Sequence, residues 1–206
     1  MLSTLYKTQK QPLLIVISGP SGVGKDSVVK RMRERGLPFH FVITTTSRPK
    51  RPHEVEGVDY FFVSEEEFLR MIEQNELLEH ANVYGQLKGI PKQQVRQALE
   101  SGKDVVMRLD VQGARTIREL AKEALLIFLT TQDEDELIRR LKARKTDSPE
   151  ALDLRLATAR EEMLVVEELF DYCVVNADSK LDVAVDTILD IINAEHHRTK
   201  PRKVDL

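Results

Sequence analysis

The stretch that decides the fold of this chain is Gly19-Pro20-Ser21-Gly22-Val23-Gly24-Lys25-Asp26-Ser27. Its first seven residues match the phosphate-binding pattern G-x-x-x-x-G-K. Glycines let the backbone curl until successive N–H groups point at phosphate oxygens, and the lysine adds a full positive charge. The pattern requires a buried strand before it and a helix after it. Both flanks are present, so the stretch predicts a binding loop for the phosphates of a nucleotide, formed by residues 19–27.

The sequence on either side of this loop predicts an α/β fold. Residues 12–18 are apolar and β-branched, which is typical of a buried strand in a parallel sheet. Apolar residues recur at helical spacing in residues 25–35, and strands then alternate with helices from residue 104 onward. We therefore expect a three-layer α/β/α fold with a mostly parallel sheet. The later strands are predicted at 104–109, 124–129 and 172–175, and the helices at 111–120, 133–143, 149–168 and 181–194.

The segment from residue 43 to residue 91 interrupts this alternation. It is polar and loop-rich, with a threonine-rich run, an Arg- and Pro-rich loop and a strand-like aromatic run at 60–63. Ser64 and Glu67 form a capping box for a short acidic helix. We interpret the segment as a lobe inserted into a single domain of residues 1–206. The predicted core is then 12–42, 92–137 and 158–196, with a lid at 138–157.

Composition limits the partners and the compartment. The 206 residues are 41% hydrophobic, enough for one α/β domain. A net charge of -3 gives no overall attraction to nucleic acid or to an anionic membrane, so we expect neither as a partner. The single cysteine, Cys173, indicates a reducing compartment. We expect a cytoplasmic monomer or weak homo-oligomer, with Cys173 buried and residues 196–203 forming a frayed basic tail.

Charged residues of the inserted lobe predict a second phosphate site. Arg48 and Arg51 lie three residues apart on a proline-stiffened loop, so their guanidinium groups can converge on one phosphate. Tyr60 offers a hydroxyl donor to the same group. Farther along, Glu79 has a carboxylate that can accept two N–H donors, and guanine presents such a pair at N1 and its 2-amino group.

The order and spacing of these motifs resemble the guanylate kinase family over nearly the whole chain. Besides the loop at 19–25, the resemblance rests on the Thr/Arg element at 44–51, E-x-x-G-x-D-Y-x-F at 54–62 and L-x-E-H-A at 77–81. It continues through D-x-Q-G at 110–113, an arginine-rich lid and V-V-N at 174–176. The resemblance implies a parallel-sheet core, a GMP-binding lobe and a lid. It also implies transfer of the γ-phosphoryl group of ATP to GMP with Mg²⁺.

The same resemblance assigns expected roles to individual residues. Arg48, Arg51 and Tyr60 would hold the GMP phosphate, while Glu79 and Thr44 would read guanine. The remaining implied positions are Asp110 near the acceptor nucleotide and the waters of the metal, Asn176 beside the ATP adenine, and a catalytic set of Lys25, Arg48, Arg140, Arg144 and Arg155. Without the resemblance, the arginines of the charged helices would be interpreted as solvated ion-pair partners.

The chain departs from the family pattern at several of these positions. Asp26 stands where a Ser or Thr would bind Mg²⁺, and Arg108 stands where the family has a first aspartate. Lys88 replaces a tyrosine at the acceptor phosphate, and Ile90 replaces a hydroxyl that helps to read guanine. We predict Asp26 and Asp110 as magnesium ligands and Lys88 as a point charge for the phosphate. We further expect Asp26 and Arg108 to be linked changes that balance each other in charge.

Two alternative functions stay open at this point. A P-loop kinase of a phosphorylated sugar, such as a ribose bisphosphate kinase, can carry the same Gly-Lys-Asp-Ser ending of the loop. Such an enzyme would not need the full set of lobe residues at 48, 51, 60 and 79. A guanylate-kinase-like protein-binding module without catalysis generally has a degraded phosphate loop, whereas Gly24 and Lys25 are intact here.

Overall fold

Two β-sheets with helices packed around them make up the fold in a computed structural model, which describes residues 11–52, 54–83, 85–143, 149–204 and 206. In chain order the elements are β1 (Leu14–Ser18), α1 (Lys25–Glu34), β2 (His40–Phe41), β3 (Thr44–Thr46), β4 (Tyr60–Phe62), α2 (Glu65–Glu73), β5 (Leu77–Val83), β6 (Gln86–Pro91), α3 (Lys92–Glu100), β7 (Val105–Arg108), α4 (Val111–Leu120), β8 (Leu125–Thr130), α5 (Glu134–Lys142), α6 (Pro149–Leu164), α7 (Val166–Leu169), β9 (Tyr172–Val175) and α8 (Leu181–His196).

The larger sheet has the strand order β2-β7-β1-β8-β9, and all its pairs are parallel. The central strand β1 is buried along its whole length. Its side chains alternate between two apolar clusters, because successive residues of a strand point to opposite faces. Ile15 and Ile17 pack with residues of α1 and α8, whereas Leu14 and Val16 pack with residues of α3 and α4. The predicted three-layer fold with a mostly parallel sheet is confirmed.

The smaller sheet is built from residues 44–91 and has the strand order β4-β3-β6-β5. β3 pairs with β4 in parallel, while β6 pairs antiparallel with both β3 and β5. The β5–β6 hairpin was not predicted from the sequence, because the polar residues of β5 are typical of a loop. The N-cap half of the predicted capping box before α2 is confirmed, since the Ser64 side chain accepts from the Glu67 N–H at 3.0 Å, whereas the Glu67 carboxylate pairs with Arg70.

The carboxyl ends of the parallel strands bring the functional segments to one edge of the large sheet. β1 leads into the loop at 19–24, β7 leads to Asp110 and β9 leads to Asn176. Ligands of open α/β sheets bind at this edge. None of the helices in the described part of the chain combines the length and apolar character that a membrane crossing needs.

The expectation of a buried thiol at Cys173 was wrong. Cys173 is exposed, and Val175, two residues farther along the same strand, is 49% exposed. β9 is an edge strand of the sheet, and only Val174 of this apolar run is buried in the core that contains α8 residues. The sequence pattern did not show that one face of this strand is left uncovered.

The expectation of a frayed basic tail was also wrong. Arg202 is only 6% exposed and donates to Glu195 Oε2 at 2.7 Å and to the Ala124 carbonyl at 3.3 Å. Glu195 is itself buried, so the guanidinium supplies the countercharge that a buried carboxylate needs. His196 pairs with the buried Asp104 at 2.8 Å. The segment after α8 is therefore attached to the core.

Arg202→Met should lower the free energy of unfolding by about 3 kcal/mol, because it leaves the Glu195 carboxylate buried without its buried partner. Arg198 is the matched control, since it contacts the same carboxylate at 3.2 Å but is 45% exposed. Arg198→Met should cost less than about 1 kcal/mol. Urea unfolding, followed by circular dichroism, measures the free energy of unfolding of both variants. An equal loss of stability in the two variants would contradict this account of the tail.

Candidate active site

The loop between β1 and α1 has a backbone that requires glycine at its two ends. Gly19 and Gly24 lie at φ +138° and +92°. A Cβ on Gly19 would lie 2.1 Å from the Leu129 carbonyl oxygen, and one on Gly24 would lie 2.5 Å from Asn176 Nδ2. Gly24 is the N-cap of α1 and gives it no side-chain cap, so the first N–H groups of the helix are available to an anion. The loop has the geometry of a phosphate cradle.

Lys25 lies folded over this loop. Its Nζ donates to the Gly19 carbonyl and, at 3.0 Å, to the Pro20 carbonyl. Burial lowers the pKa of Lys25 to about 8, while the charges of Glu162, Asp26 and Asp110 oppose that shift. The ammonium group is thus held in a dry position, where a phosphate would be a stronger partner than the carbonyl groups.

A hydrogen-bonded network supports the loop from behind. The Val23 carbonyl accepts from Asn176 Nδ2 at 2.8 Å and from Arg140 Nη1 at 3.2 Å. Arg140 also donates to the Asn176 carbonyl at 2.7 Å, and it forms ion pairs with Glu136 and Asp178. The structure therefore places Arg140 and Asn176 together as supports of the loop. Their contacts with the transferring phosphoryl group and with adenine stay predictions.

The other predicted lid arginines lie on or before α6. Arg155 donates from Nη1 to Ser21 Oγ at 2.9 Å, so α6 reaches the phosphate loop. Arg144 lies outside the described residues. Glu162 was not predicted from the sequence, although it follows Arg155 by two helical turns and lies close enough to Lys25 for their charges to interact. Burial raises the pKa of Glu162 to about 6, although the Lys25 charge opposes the shift. The seven-residue spacing from Arg155 was the signal that could have found it.

In the loop that follows β3, Arg48 is buried and held by protein partners. It forms a fork with both oxygens of Glu54, and its guanidinium lies 4.9 Å from the centre of the Tyr60 ring. The hydrogen bonds from Arg48 and from the Arg51 N–H lower the pKa of Glu54 to about 2. The side chain of Arg51 is exposed. The structure thus brings Arg48 and Tyr60 together, and the convergence of Arg51 on the same phosphate stays a prediction.

Glu79 is buried on β5 and faces the start of α4. A Cβ on Gly113 would lie 2.9 Å from Glu79 Oε1, so glycine leaves the room that this carboxyl group occupies. Asp110 caps α4 by accepting from the Gly113 N–H at 2.8 Å. Burial, together with the nearby Asp110 charge, raises the pKa of Glu79 to about 8. The Ile90 side chain is fully buried and Thr44 is 8% exposed, so the surroundings are largely dry.

Arg108 links the phosphate loop to the smaller sheet. Its Nη1 donates to Asp26 Oδ1 at 2.6 Å, and its Nη2 donates to the Tyr60 hydroxyl at 2.9 Å. The predicted charge pairing of Asp26 with Arg108 is confirmed. Burial lowers the pKa of Lys88, and the Arg108 charge adds to the effect, so these two cations lie in the same region.

Comparison with known proteins agrees with this geometry. Residues 11–195 match the sequence model of guanylate kinase. The chain belongs to the guanylate kinase family. It is 52% identical over 197 residues to guanylate kinase 2, chloroplastic/mitochondrial, of Oryza sativa subsp. japonica, with 95% of this chain and 69% of the relative covered. It is 43% identical over 196 residues to the guanylate kinase of Lactobacillus johnsonii, with 95% and 94% covered.

A solved structure of the family shares the fold. The guanylate kinase from Anaplasma phagocytophilum superposes with a TM-score of 0.74 at 28% identity, covering 93% of this chain and 89% of that chain. The family membership expected from the motifs is confirmed.

Gly24→Ala should weaken ATP binding by at least about tenfold, because the added methyl group displaces Asn176 and distorts the curled backbone. Gly36→Ala is the matched control, since Gly36 also has a positive φ of +66° but nothing lies within 4 Å of its Cβ position. That variant should bind ATP within about twofold of the wild type and lose about 1 kcal/mol of stability. Calorimetric titration measures the affinities; an unchanged affinity of Gly24→Ala would show that the loop does not hold the phosphates.

Proposed function

We propose that this protein transfers the γ-phosphoryl group of ATP to GMP and forms ADP and GDP. Family membership supports this activity. The observation that carries it further is the position of Asp110, whose charge acts on Lys25 of the phosphate loop and also on the buried Glu79. Asp110 therefore lies within electrostatic reach of both the lysine of the phosphate loop and a carboxyl group suited to guanine. A sugar phosphate has no base with paired N–H donors for Glu79 to read, so it would not need the full set of lobe residues.

The donor half of the site is assigned to the edge of the large sheet. Residues 19–27 cradle the phosphates of ATP, with Lys25 redirected from the loop carbonyls to the phosphate oxygens. Asn176 borders the adenine. Arg140, Arg144 and Arg155 complete the charge around the transferring group when the lid at 138–157 closes.

The acceptor half of the site is assigned to the lobe at 43–91. Arg48, Arg51, Tyr60 and Lys88 bind the phosphate of GMP, and Glu79 with Thr44 reads the guanine base. Arg48 approaches this phosphate in an orientation already fixed by Glu54. Because a phosphate oxygen of GMP is an anion at neutral pH, the reaction requires positioning and charge neutralisation and no general base.

The residues present fit a magnesium ion that arrives with ATP. No group of three or more His, Cys, Asp or Glu side chains in the described ranges is arranged to hold a metal alone. Magnesium is commonly bound by one or two carboxylates together with substrate phosphates, and Asp26 and Asp110 lie within electrostatic reach of Lys25. These two would hold the ion directly or through water. Its chemistry there is the neutralisation of charge on the phosphates.

Compartment and assembly belong to the same proposal. We infer a cytoplasmic monomer or weak homo-oligomer with no nucleic-acid or membrane partner. The support is the low net charge and the single cysteine of the sequence.

The function is tested by coupled release of ADP from Mg-ATP with GMP, AMP, UMP and ribose 1,5-bisphosphate as acceptors. Strong preference for GMP is the expected result. Activity with the sugar bisphosphate alone would instead favour the sugar-phosphate kinase. Absence of turnover with every acceptor would favour the protein-binding module.

The KM for GMP should fall as the pH rises from 6.5 to 8. Only the ionised form of Glu79 accepts both N–H donors of guanine, and its raised pKa of about 8 keeps the free carboxyl group largely neutral below that pH. The expected change is about tenfold over this range. Glu79→Gln should bind GMP weakly with a nearly flat profile. A flat profile for the wild type, at saturating ATP, would contradict the assignment of Glu79.

A further inference from the structure

Arg108 spans the gap between the two proposed phosphate sites. It ends β7 of the large sheet, and its two terminal nitrogens bind Asp26, next to Lys25, and Tyr60, on β4 of the smaller sheet. Its guanidinium also lies 5.4 Å from the centre of the Tyr60 ring. One side chain thus contacts a residue of the donor loop and a residue of the acceptor site.

Stability alone is a poor explanation of this arrangement. The Arg108 side chain is 23% exposed whereas the Asp26 side chain is 74% exposed, and ion pairs with one such exposed partner contribute little to folding. Burial disfavours the charged form of Arg108, but the contacts with Asp26 and Tyr60 outweigh it and raise the pKa of the guanidinium. Asp26 therefore holds the guanidinium of Arg108 in a fixed orientation.

Three cationic side chains lie around Tyr60. Arg48 and Arg108 both lie against its ring, and the charges of both act to lower the pKa of Lys88 on β6. The two arginines each have a carboxylate partner, which offsets part of this positive charge. A bound anion would reduce the remaining repulsion among the cations. A phosphomonoester dianion has the charge that such a cluster accepts.

We propose that Arg108 is a positioning residue for the acceptor phosphate, held in place by Asp26. The guanidinium fixes the hydroxyl of Tyr60 and adds positive charge at the acceptor subsite, where the family pattern has an aspartate. Asp26 acts on the acceptor through Arg108. This inference rests on the proposed function, because it takes GMP as the acceptor.

The test is calorimetric titration of GMP into the protein without ATP and with EDTA, so that neither donor nor metal contributes. Arg108→Met should weaken GMP binding by about tenfold, the equivalent of one charge-assisted contact. Arg108→Lys should recover part of that loss, because it keeps the charge but cannot form the fork. In turnover assays, the KM for GMP should rise more than the KM for ATP.

Asp26→Asn gives the sharpest discrimination, since the two explanations predict opposite signs. If Asp26 acted on GMP only by its own charge, removing a negative charge would tighten the binding of an anion. If Asp26 anchors Arg108, Asp26→Asn weakens GMP binding. The double variant should then bind GMP no more weakly than Arg108→Met alone.

Arg33→Met is the matched control. Arg33, on α1, also joins the core to the lobe, because it donates a 3.0 Å hydrogen bond to the Val58 carbonyl. Its charge also interacts with that of Arg108. It should change GMP affinity by less than about twofold if the effect belongs to the Arg108 position and not to general positive potential.

Failure of this proposal is distinguishable from failure of the proposed function. A wild-type protein that neither binds nor phosphorylates GMP would overturn both. Normal wild-type binding with tighter binding in Asp26→Asn, or with an equal loss in Arg33→Met, would overturn only the role of Arg108. Thermal unfolding checks the fold of each variant. If Arg108→Met does not fold, unchanged GMP affinity in Arg108→Lys and Asp26→Asn also overturns the role.

Discussion

The curled backbone between β1 and α1 is the constraint on which the rest of the site depends. It can form only because glycines occupy positions where a Cβ would strike the Leu129 carbonyl or the Asn176 side chain. The same close approach lets Asn176 and Arg140 reach the Val23 carbonyl and hold the loop against β9 and α5. A fully buried strand on one side and a helix N-terminus on the other then fix the direction in which the loop N–H groups point.

Charge is the second organising feature of the cleft. Cations of the phosphate loop and of the lobe lie among carboxyl groups, and two of these carboxyl groups have opposite environments. Glu54 is held ionised by Arg48, whereas burial favours the neutral form of Glu79. Because of these opposite environments, the Glu54 carboxylate orients Arg48, while the carboxyl group of Glu79 is available to the N–H donors of a base.

Local patterns carried most of what the sequence could predict. The phosphate loop, the bounds of α4 and the N-cap of α2 follow from spacing, capping and apolar periodicity within short segments. The β5–β6 hairpin could not be predicted from local patterns, because its polar residues lie at a cleft that only the folded chain creates. The burial of Arg202 and the exposure of Cys173 likewise depend on which distant segments cover them.

The residues of the site also divide into features that the sequence predicts and contacts that only the folded chain shows. Their identities could be listed from motifs, and the charge balance of Asp26 and Arg108 could be suspected from two unusual positions. That Arg108 also holds Tyr60, and that Arg140 supports the loop from behind, could not be read from the sequence, because these contacts join segments far apart in the chain.

The central claim is that Lys25 acts on the donor phosphates and that GMP binds without the help of this side chain. Replacement of Lys25 by methionine tests it most directly, with turnover and metal-free GMP binding measured on the same preparation. We predict a fall in kcat of about a hundredfold to a thousandfold. GMP affinity should stay within about twofold of the wild type, because no described contact of Lys25 reaches the lobe. Near-normal turnover, or loss of GMP binding together with turnover, would contradict the account.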